Sequence, residues 1–560
     1  MSLHLFAAAT VTCLVYGCAL ALYRLFLHPL SRYPGPRLAI LTDWYVLYYA
    51  WRGDLHKQVQ QWHAKYGKVV RYGPSTLSFN SATAMTEIYG VRANVRKTDG
   101  YAALGLSRRC PNSLVAIDKG LHGFKRRIMA QVFSEQNLKQ MEERILDNVT
   151  DFVSLLGSDS DASRGWGPPK DVAQACTWMT FDIIADLCYG EDLNLLQVED
   201  MRWFPSVFRK VSQRGMMSLI QPRFIQLKLD HFLLASQYKD ILRAGSWIRE
   251  RGEARAKLGN QNAEKDIFST MMNATDPKTG RNFTQKDLWV ESMLLLIAGS
   301  DTTATALSAT MHYLLHHPRS LAHLTTEVRT TFATEASIRF DAASPTTCPY
   351  LHACVNEAMR LAPSVPNAPP RRVLPGGIYL EGDFIPAGTV VGAPIYTLHR
   401  NAAYFDRPDE FRPERWLDPS HSCNSSSSSS NSSPRGSGYD TAEQHQHHHH
   451  HQQGTSAATT TKHTQADPAF CPFSYGARSC VGWRLAYTEL HLAVARLLWR
   501  YDVRLAAEAA APAAAPASTS TSTPPPGKGK ADPAEYEMMG WVVAAVEGPV
   551  AQFRRREDLF

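Results

Sequence analysis

The first regularity in the chain is an absence of charge. From Leu5 to Tyr23 it reads LFAAATVTCLVYGCALALY, nineteen residues without a charged side chain. As a helix rising ~1.5 Å per residue, this stretch would reach about 28 Å, close to the hydrocarbon thickness of a bilayer. Arg24, Arg32 and Arg37 follow it, whereas Met1–His4 carry no lysine or arginine. The positive-inside rule therefore predicts an anchor within residues 1–30, with everything after Arg24 in the cytosol. Ala19-Leu20-Ala21 also fits a cleavage site, so a removed signal peptide is the competing reading. The missing basic n-region and the arginines just downstream speak against it.

Pro34-Gly35-Pro36-Arg37 then predicts a stiff turn. Beyond it, from about Leu38 to Pro419, the periodicity is mixed, with more helical than strand character. The longest regular stretch runs from Thr284 to His317. Thr284 and Asp287 have capping-box spacing, Leu294–Ile297 is apolar, and Pro318 ends the run. A helix of that length spans about 50 Å, enough to cross a domain. Being apolar on several faces, it must be buried. Its middle nevertheless reads Ala298-Gly299-Ser300-Asp301-Thr302-Thr303. A mid-helix glycine costs ~1 kcal/mol against alanine, and a buried aspartate costs more unless paired. Rules broken together at one spot point to function there; a polar seam between buried helices is the alternative.

Two later stretches are almost without apolar side chains suited to a core. His421–His463 contains Ser425–Ser430 and His447–His451, and Ala506–Ala531 is alanine, proline, serine and threonine with a Gly-Lys tail. Neither can bury enough surface to offset the entropy of ordering, so both are expected to be flexible insertions (421–463 and 506–531) rather than domains. The histidine run offers weak metal affinity at most, without fixed geometry.

Composition narrows the class. The chain has 560 residues, 44% hydrophobic and 20% charged, with a formal charge of +7. That excess is too dilute for a nucleic-acid footprint, although a basic docking patch for an acidic protein remains open. The ten cysteines are scattered and form no CxxC pair, which fits a reducing, cytosol-facing setting.

The most specific segment is Phe473-Ser474-Tyr475-Gly476-Ala477-Arg478-Ser479-Cys480-Val481-Gly482, leading into an expected helix over Trp483–Arg500. A glycine ahead of the cysteine permits a tight turn whose amides can point at sulfur. Those amides and the start of the following helix stabilise a thiolate. Gly482 allows a flat ligand to approach the backbone closely. Without further context, an ordinary loop around a buried cysteine would read the same way.

FSYGARSCVG resembles the FxxGxRxCxG haem-binding loop of the cytochromes P-450, with every fixed position present. The resemblance implies Cys480 as the proximal iron ligand, Arg478 as a haem propionate partner and Phe473 packed beside the thiolate, with Gly476 and Gly482 shaping the loop. A thiolate ligand favours O–O cleavage. Cys471, with no glycine turn around it, is read as a spectator. Ala298–Thr303 resembles the family's oxygen-activating stretch. There Gly299 would open a local kink, and Asp301 and Thr302 would relay protons during dioxygen reduction. Glu357-Ala358-Met359-Arg360 resembles ExxR, and Glu357 and Arg360 would share one helix face. Phe411-Arg412-Pro413-Glu414-Arg415-Trp416 resembles the PERF-type segment, with tryptophan in place of phenylalanine. Arg415 would then complete a buried structural triad with Glu357 and Arg360.

The remaining haem contacts depart from the family pattern. His122-Gly123-Phe124-Lys125-Arg126 resembles WxxxR with histidine at the tryptophan position. The resemblance assigns His122 and Arg126 to the cofactor. Lys125 and Arg127 leave the register open, and a solvated basic face is the alternative. Arg372 resembles the strand arginine for the other propionate, with Arg371 as its rival. Phe181–Ile184 is read as packing.

These features predict a mostly α fold with a smaller β region, the cytochrome P-450 fold, preceded by an N-terminal transmembrane helix. Residues 38–560 would form the haem-thiolate monooxygenase domain. The resemblance implies haem (iron protoporphyrin IX), dioxygen, a small apolar substrate, and NADPH electrons through a cytochrome reductase at the endoplasmic reticulum membrane. FLHPLSRYPGPR and GGIYLEGDFIPAGTVVGAPIYTLHR resemble fungal members that tailor terpenoids or polyketides in secondary metabolism. The substrate would be met by Lys97–Gly120, Trp203–Phe224, the central helix, Pro363–Pro370 and the segment near Met538–Gly548. Two rivals remain. A haem-thiolate isomerase or dehydratase would not need Asp301 and Thr302, and a haem-binding sensor would not need a polar break in a central helix.

Overall fold

The computed structural model of the chain describes residues 2–105, 109–158, 165–190, 193–233, 235–258, 266–341, 343–417, 468–506 and 534–556. The expected insertions 421–463 and 506–531 lie outside the described residues, apart from Ala506. The rest is mostly helical with small sheets, as predicted.

The N-terminal helix covers Ser2–Leu22 and continues as a π-turn over Tyr23–Leu27. The span His4–Leu27 has no buried residue in its most apolar window. That distinguishes it from a core helix and makes it a candidate membrane anchor. Its end is fastened to the domain. Arg71 Nη1 donates to Arg24 O at 2.8 Å, and Arg24 Nη1 donates to Leu41 O. The Pro34-Gly35-Pro36 turn is pinned as well, because Arg71 N donates to Pro34 O at 2.8 Å and a Cβ on Gly35 would overlap Arg71 O. Arg24, directly after the anchor, thus contacts the folded domain.

One helix, Gln285–His316, runs through the core. Thr284 Oγ1 accepts from Asp287 N, and the Asp287 carboxylate accepts from Thr284 N, closing the predicted capping box. Helices Val172–Tyr189, Pro349–Leu361 and Trp483–Arg500 pack around it. Their faces supply the largest apolar cluster, including Ile184, Leu296, Ala306, Met359 and Leu490. The central helix is continuous α through Ala298–Thr303, where the sequence predicts a local opening. Gly299 instead permits close approach of a neighbour: a Cβ there would meet Ile184 Cδ1 at 3.1 Å.

The largest sheet among the described residues has five strands. Five short strands lie in the order Val69–Gly73, Thr76–Phe79, Val390–Gly392, Arg371–Val373 and Val95–Lys97. Arg371 pairs with Lys97 and Arg372 with Arg96. Since paired residues share a face and neighbours along a strand alternate, Arg371 and Lys97 point one way and Arg372 the other. This register decides which arginine reaches the site.

Candidate functional site: a thiol-walled cavity with a basic end

A cavity of about 420 Å³ lies in the core, within the usual size for a cofactor or small-molecule site. Phe473, Arg478, Cys480, Gly482, His122, Arg126, Asp301 and Thr302 all contribute to its wall.

The cysteine loop is built from its glycines. Gly476 has φ +72°, and a Cβ there would overlap the Tyr89 carbonyl, so glycine is needed for both conformation and contact. The loop closes where Cys480 N donates to Phe473 O at 2.8 Å. Phe473 packs against Tyr487, ring centroids 5.3 Å apart. Gly482 caps the helix Trp483–Arg500. The Cys480 thiol has open surface, and that surface belongs to the cavity. Burial pushes its pKa up, opposed by the Gly482 N–H and the Arg126 charge. Cys471 is buried outside the cavity wall, in the cluster beside the five-stranded sheet.

On the central helix, Thr302 Oγ1 donates to Ala298 O at 2.7 Å, and Thr302 O accepts from Ser364 Oγ at 2.7 Å. Asp301 is a carboxyl in mainly apolar surroundings. Burial pushes its pKa up to about 7, with the Arg209 charge pulling the other way.

The other end of the cavity is basic. Lys97, His122, Arg126, Arg371 and Arg478 all line it. Arg478 donates to Ala116 O at 2.6 Å, Lys97 to Leu114 O, and Arg126 to Ser479 O at 2.5 Å. These partners are neutral. Burial and the neighbouring cations drive His122 down to about 3, Arg478 down to about 10 and Lys97 well below its ordinary value.

One sequence expectation is corrected here. Arg372 is not in the cavity wall: it donates to Gly388 O at 3.1 Å and lies 3.9 Å from Asp99. Its rival Arg371 takes the cavity position because of the strand register. The helix Lys119–Val132 resolves the other ambiguity. Lys125 turns to Asp287 and Glu291, Arg127 turns to Asp276, and Arg126 faces the cavity. Lys97 also lines the cavity, a placement that its cross-strand pairing with Arg371 reveals and its local sequence does not.

The triad is fully assembled. Arg360 makes two bonds to Glu357, at 2.9 and 2.8 Å, and Arg415 Nε makes a third at 3.0 Å. Burial opposes ionisation of Glu357, yet the Arg360 and Arg415 charges hold its pKa below the ordinary value. None of the three lines the cavity, which fits a structural role.

The residues fit haem. Among the described residues no three histidine, cysteine or acidic side chains gather as a metal site. The open Cys480 thiol offers a single protein ligand, which suits an iron whose in-plane ligands a macrocycle would supply. The cluster of buried and half-buried basic side chains with neutral partners suits an anionic group, as the two haem carboxylates would provide.

Comparison with known proteins agrees with this geometry. The cytochrome P-450 family model matches residues 34–530. The chain is 32% identical to the cytochrome P-450 monooxygenase atnE of Emericella nidulans, over 95% of this chain and 93% of that protein. It is 31% identical to the cytochrome P-450 monooxygenase apf7 of Gibberella fujikuroi, covering 100% and 98%. For the cytochrome P-450 monooxygenase poxM of Penicillium oxalicum the identity is 33%, covering 97% and 93%. A family match across most of the chain, and relatives matched along nearly their full length, make the chain a member of the cytochrome P-450 family and a monooxygenase.

Proposed function

We propose that this monooxygenase holds haem through Cys480 and inserts one atom of dioxygen into an apolar organic substrate, with electrons from NADPH through a cytochrome reductase. One observation carries the reading: the Cys480 thiol, the Asp301–Thr302 pair and the cluster of cations all wall the same cavity. Bound haem supplies the dioxygen chemistry, which thiolate ligation favours. The chain supplies the rest. His122, Arg126, Arg371 and Arg478, joined by Lys97, bind the carboxylates. Phe473, Gly476 and Gly482 shape the turn that presents Cys480.

Burial pushes the Asp301 pKa up to about 7, which suits a group that holds and releases a proton at physiological pH. Thr302, one residue on, orients that proton. Phe208, Met293, Leu294, Val365 and Val542 are apolar and exclude water from the chamber. That lining and the fungal relatives favour a terpenoid or polyketide-like substrate of secondary metabolism. The unburied anchor and the exposed Trp44, Tyr48 and Trp51 on one face of helix Asp43–Arg52 fit a membrane interface, where aromatic side chains collect. The arginines after the anchor favour a cytosolic domain, and the endoplasmic reticulum is the membrane this reading assigns.

Thr302→Ala tests this reading. The variant should bind haem and reductase and still consume NADPH, while product falls by roughly 10²–10⁴-fold and hydrogen peroxide rises. A wild-type protein that consumes no NADPH with a matched reductase, across a broad apolar panel, would contradict it. A peroxide-rearranging isomerase would ignore NADPH in both forms.

A further inference from the structure

Part of the cavity wall is a non-helical strap, Cys110–Ile117. It is fastened along both flanks. On the cofactor side, Lys97 donates to Leu114 O, and Arg478 donates to Ala116 O and Ile117 O at 2.6 and 3.3 Å. On the other side, Glu291 of the central helix accepts from Ser113 N and Ser113 Oγ, both at 2.8 Å. Glu291 is fully buried and is not itself in the cavity wall. Lys125, also buried, donates to Glu291 at 3.0 Å and to Asp287 at 2.7 Å.

One buried lysine thus serves two carboxylates, so Lys125 alone cannot satisfy Glu291. Burial pushes Glu291 above its ordinary pKa even with Lys125 and Ser113 opposing it. The two Ser113 donors complete the carboxylate's partners, and peeling the strap away would leave a buried oxygen unpaired. An otherwise irregular stretch, carrying Cys110, Asn112, Ser113 and Leu114 into the chamber wall, is thereby held in one position.

We propose that Glu291 is a specificity-determining positioning residue, which holds Ser113 and so keeps the Cys110–Ile117 strap as a fixed wall of the substrate chamber. This rests on the reading of the cavity as that chamber. Lys125 holds the carboxylate in place from the neighbouring helix, whose next residue, Arg126, faces the cofactor end.

The test uses the full chain loaded with haem, as wild type, Ser113→Ala and Glu291→Ala. Amide hydrogen exchange in peptides covering 109–117 should quicken about tenfold or more in Ser113→Ala, which loses one charge-assisted bond, and further in Glu291→Ala. Exchange across 69–79 should stay unchanged. The affinity ratio of imidazole to 4-phenylimidazole, read from the haem optical shift, should move in favour of the bulkier ligand in both variants. Unchanged exchange in the strap, quickening spread over the whole chain, or an unmoved affinity ratio would each overturn the proposal. Ser113→Ala leaves the buried charges intact and decides the matter if Glu291→Ala fails to fold. The exchange measurement involves no turnover, so its failure is separable from failure of the monooxygenase reading.

Discussion

The indole nitrogen of Trp416 donates a 2.8 Å hydrogen bond to Glu357 Oε2, the same oxygen that accepts from Arg360 Nε at 2.9 Å. Tryptophan stands where the family pattern has phenylalanine, and the structure gives the substitution a physical content. With Arg415 and the Arg412 N–H on the other carboxylate oxygen, Glu357 has five donors from two segments. Trp416 also packs against Phe470, ring centroids 4.4 Å apart, which ties the triad to the chain entering the cysteine loop.

Trp416→Phe should therefore keep the packing and lose one bond to a buried carboxylate, a cost of ~1.5–3 kcal/mol. A lower Tm with an unaltered shape of the ferrous–carbonyl spectrum is the expected result. An unchanged Tm would mean that Glu357 is satisfied without the indole.

The strand register makes a second prediction. Arg371→Ala should weaken haem retention by roughly 10–100-fold, the loss of a charge-assisted hydrogen bond. Arg372→Ala, outside the cavity wall, should leave retention near the wild-type value. Haem transfer to an acceptor protein measures both, and the reverse ranking would restore the assignment of Arg372.

Buried charge makes a third. Lys125→Met would leave Asp287 and Glu291 close together without their shared cation. Breaking a buried pair on one side costs ~3–5 kcal/mol, so the variant should unfold at markedly lower denaturant concentration. Lys119→Met, an exposed neighbour on the same helix, should change little.

A fourth concerns pH. Burial raises Asp301 from 3.8 to about 7, so between those values the folded state binds more protons than the unfolded chain. The contribution of Asp301 to stability then falls as pH rises through that window. Asp301→Asn removes the ionisation and should raise Tm at pH 8 while leaving it little changed at pH 4. Equal effects at both pH values would contradict the shift.

What was legible in the sequence was chemistry carried on contiguous residues. The cysteine loop, Glu357 with Arg360, and the capped central helix each state their geometry within a few positions, because turn and helix spacing is fixed locally. The choices that failed or stayed open depend on facing directions set from a distance. Arg371 and Arg372 are adjacent on a three-residue strand, too short for its own alternation to reveal which side is buried. Pairing with Lys97 settles it, across more than 270 positions of sequence. Lys125, Arg126 and Arg127 differ only by rotation around one helix, and Asp276, Asp287 and Glu291 take two of them. Gly299 broke a local rule for a tertiary reason, the nearness of Ile184, and no local opening was needed.

The central claim is thiolate ligation by Cys480, and the ferrous–carbonyl absorption of the full chain tests it most directly. Wild type and Cys471→Ala should both show the red-shifted band that reports a thiolate-bound haem, and Cys480→Ala should lose it. A Cys480→Ala protein that keeps the red-shifted band, or a Cys471→Ala protein that loses it, would contradict the account.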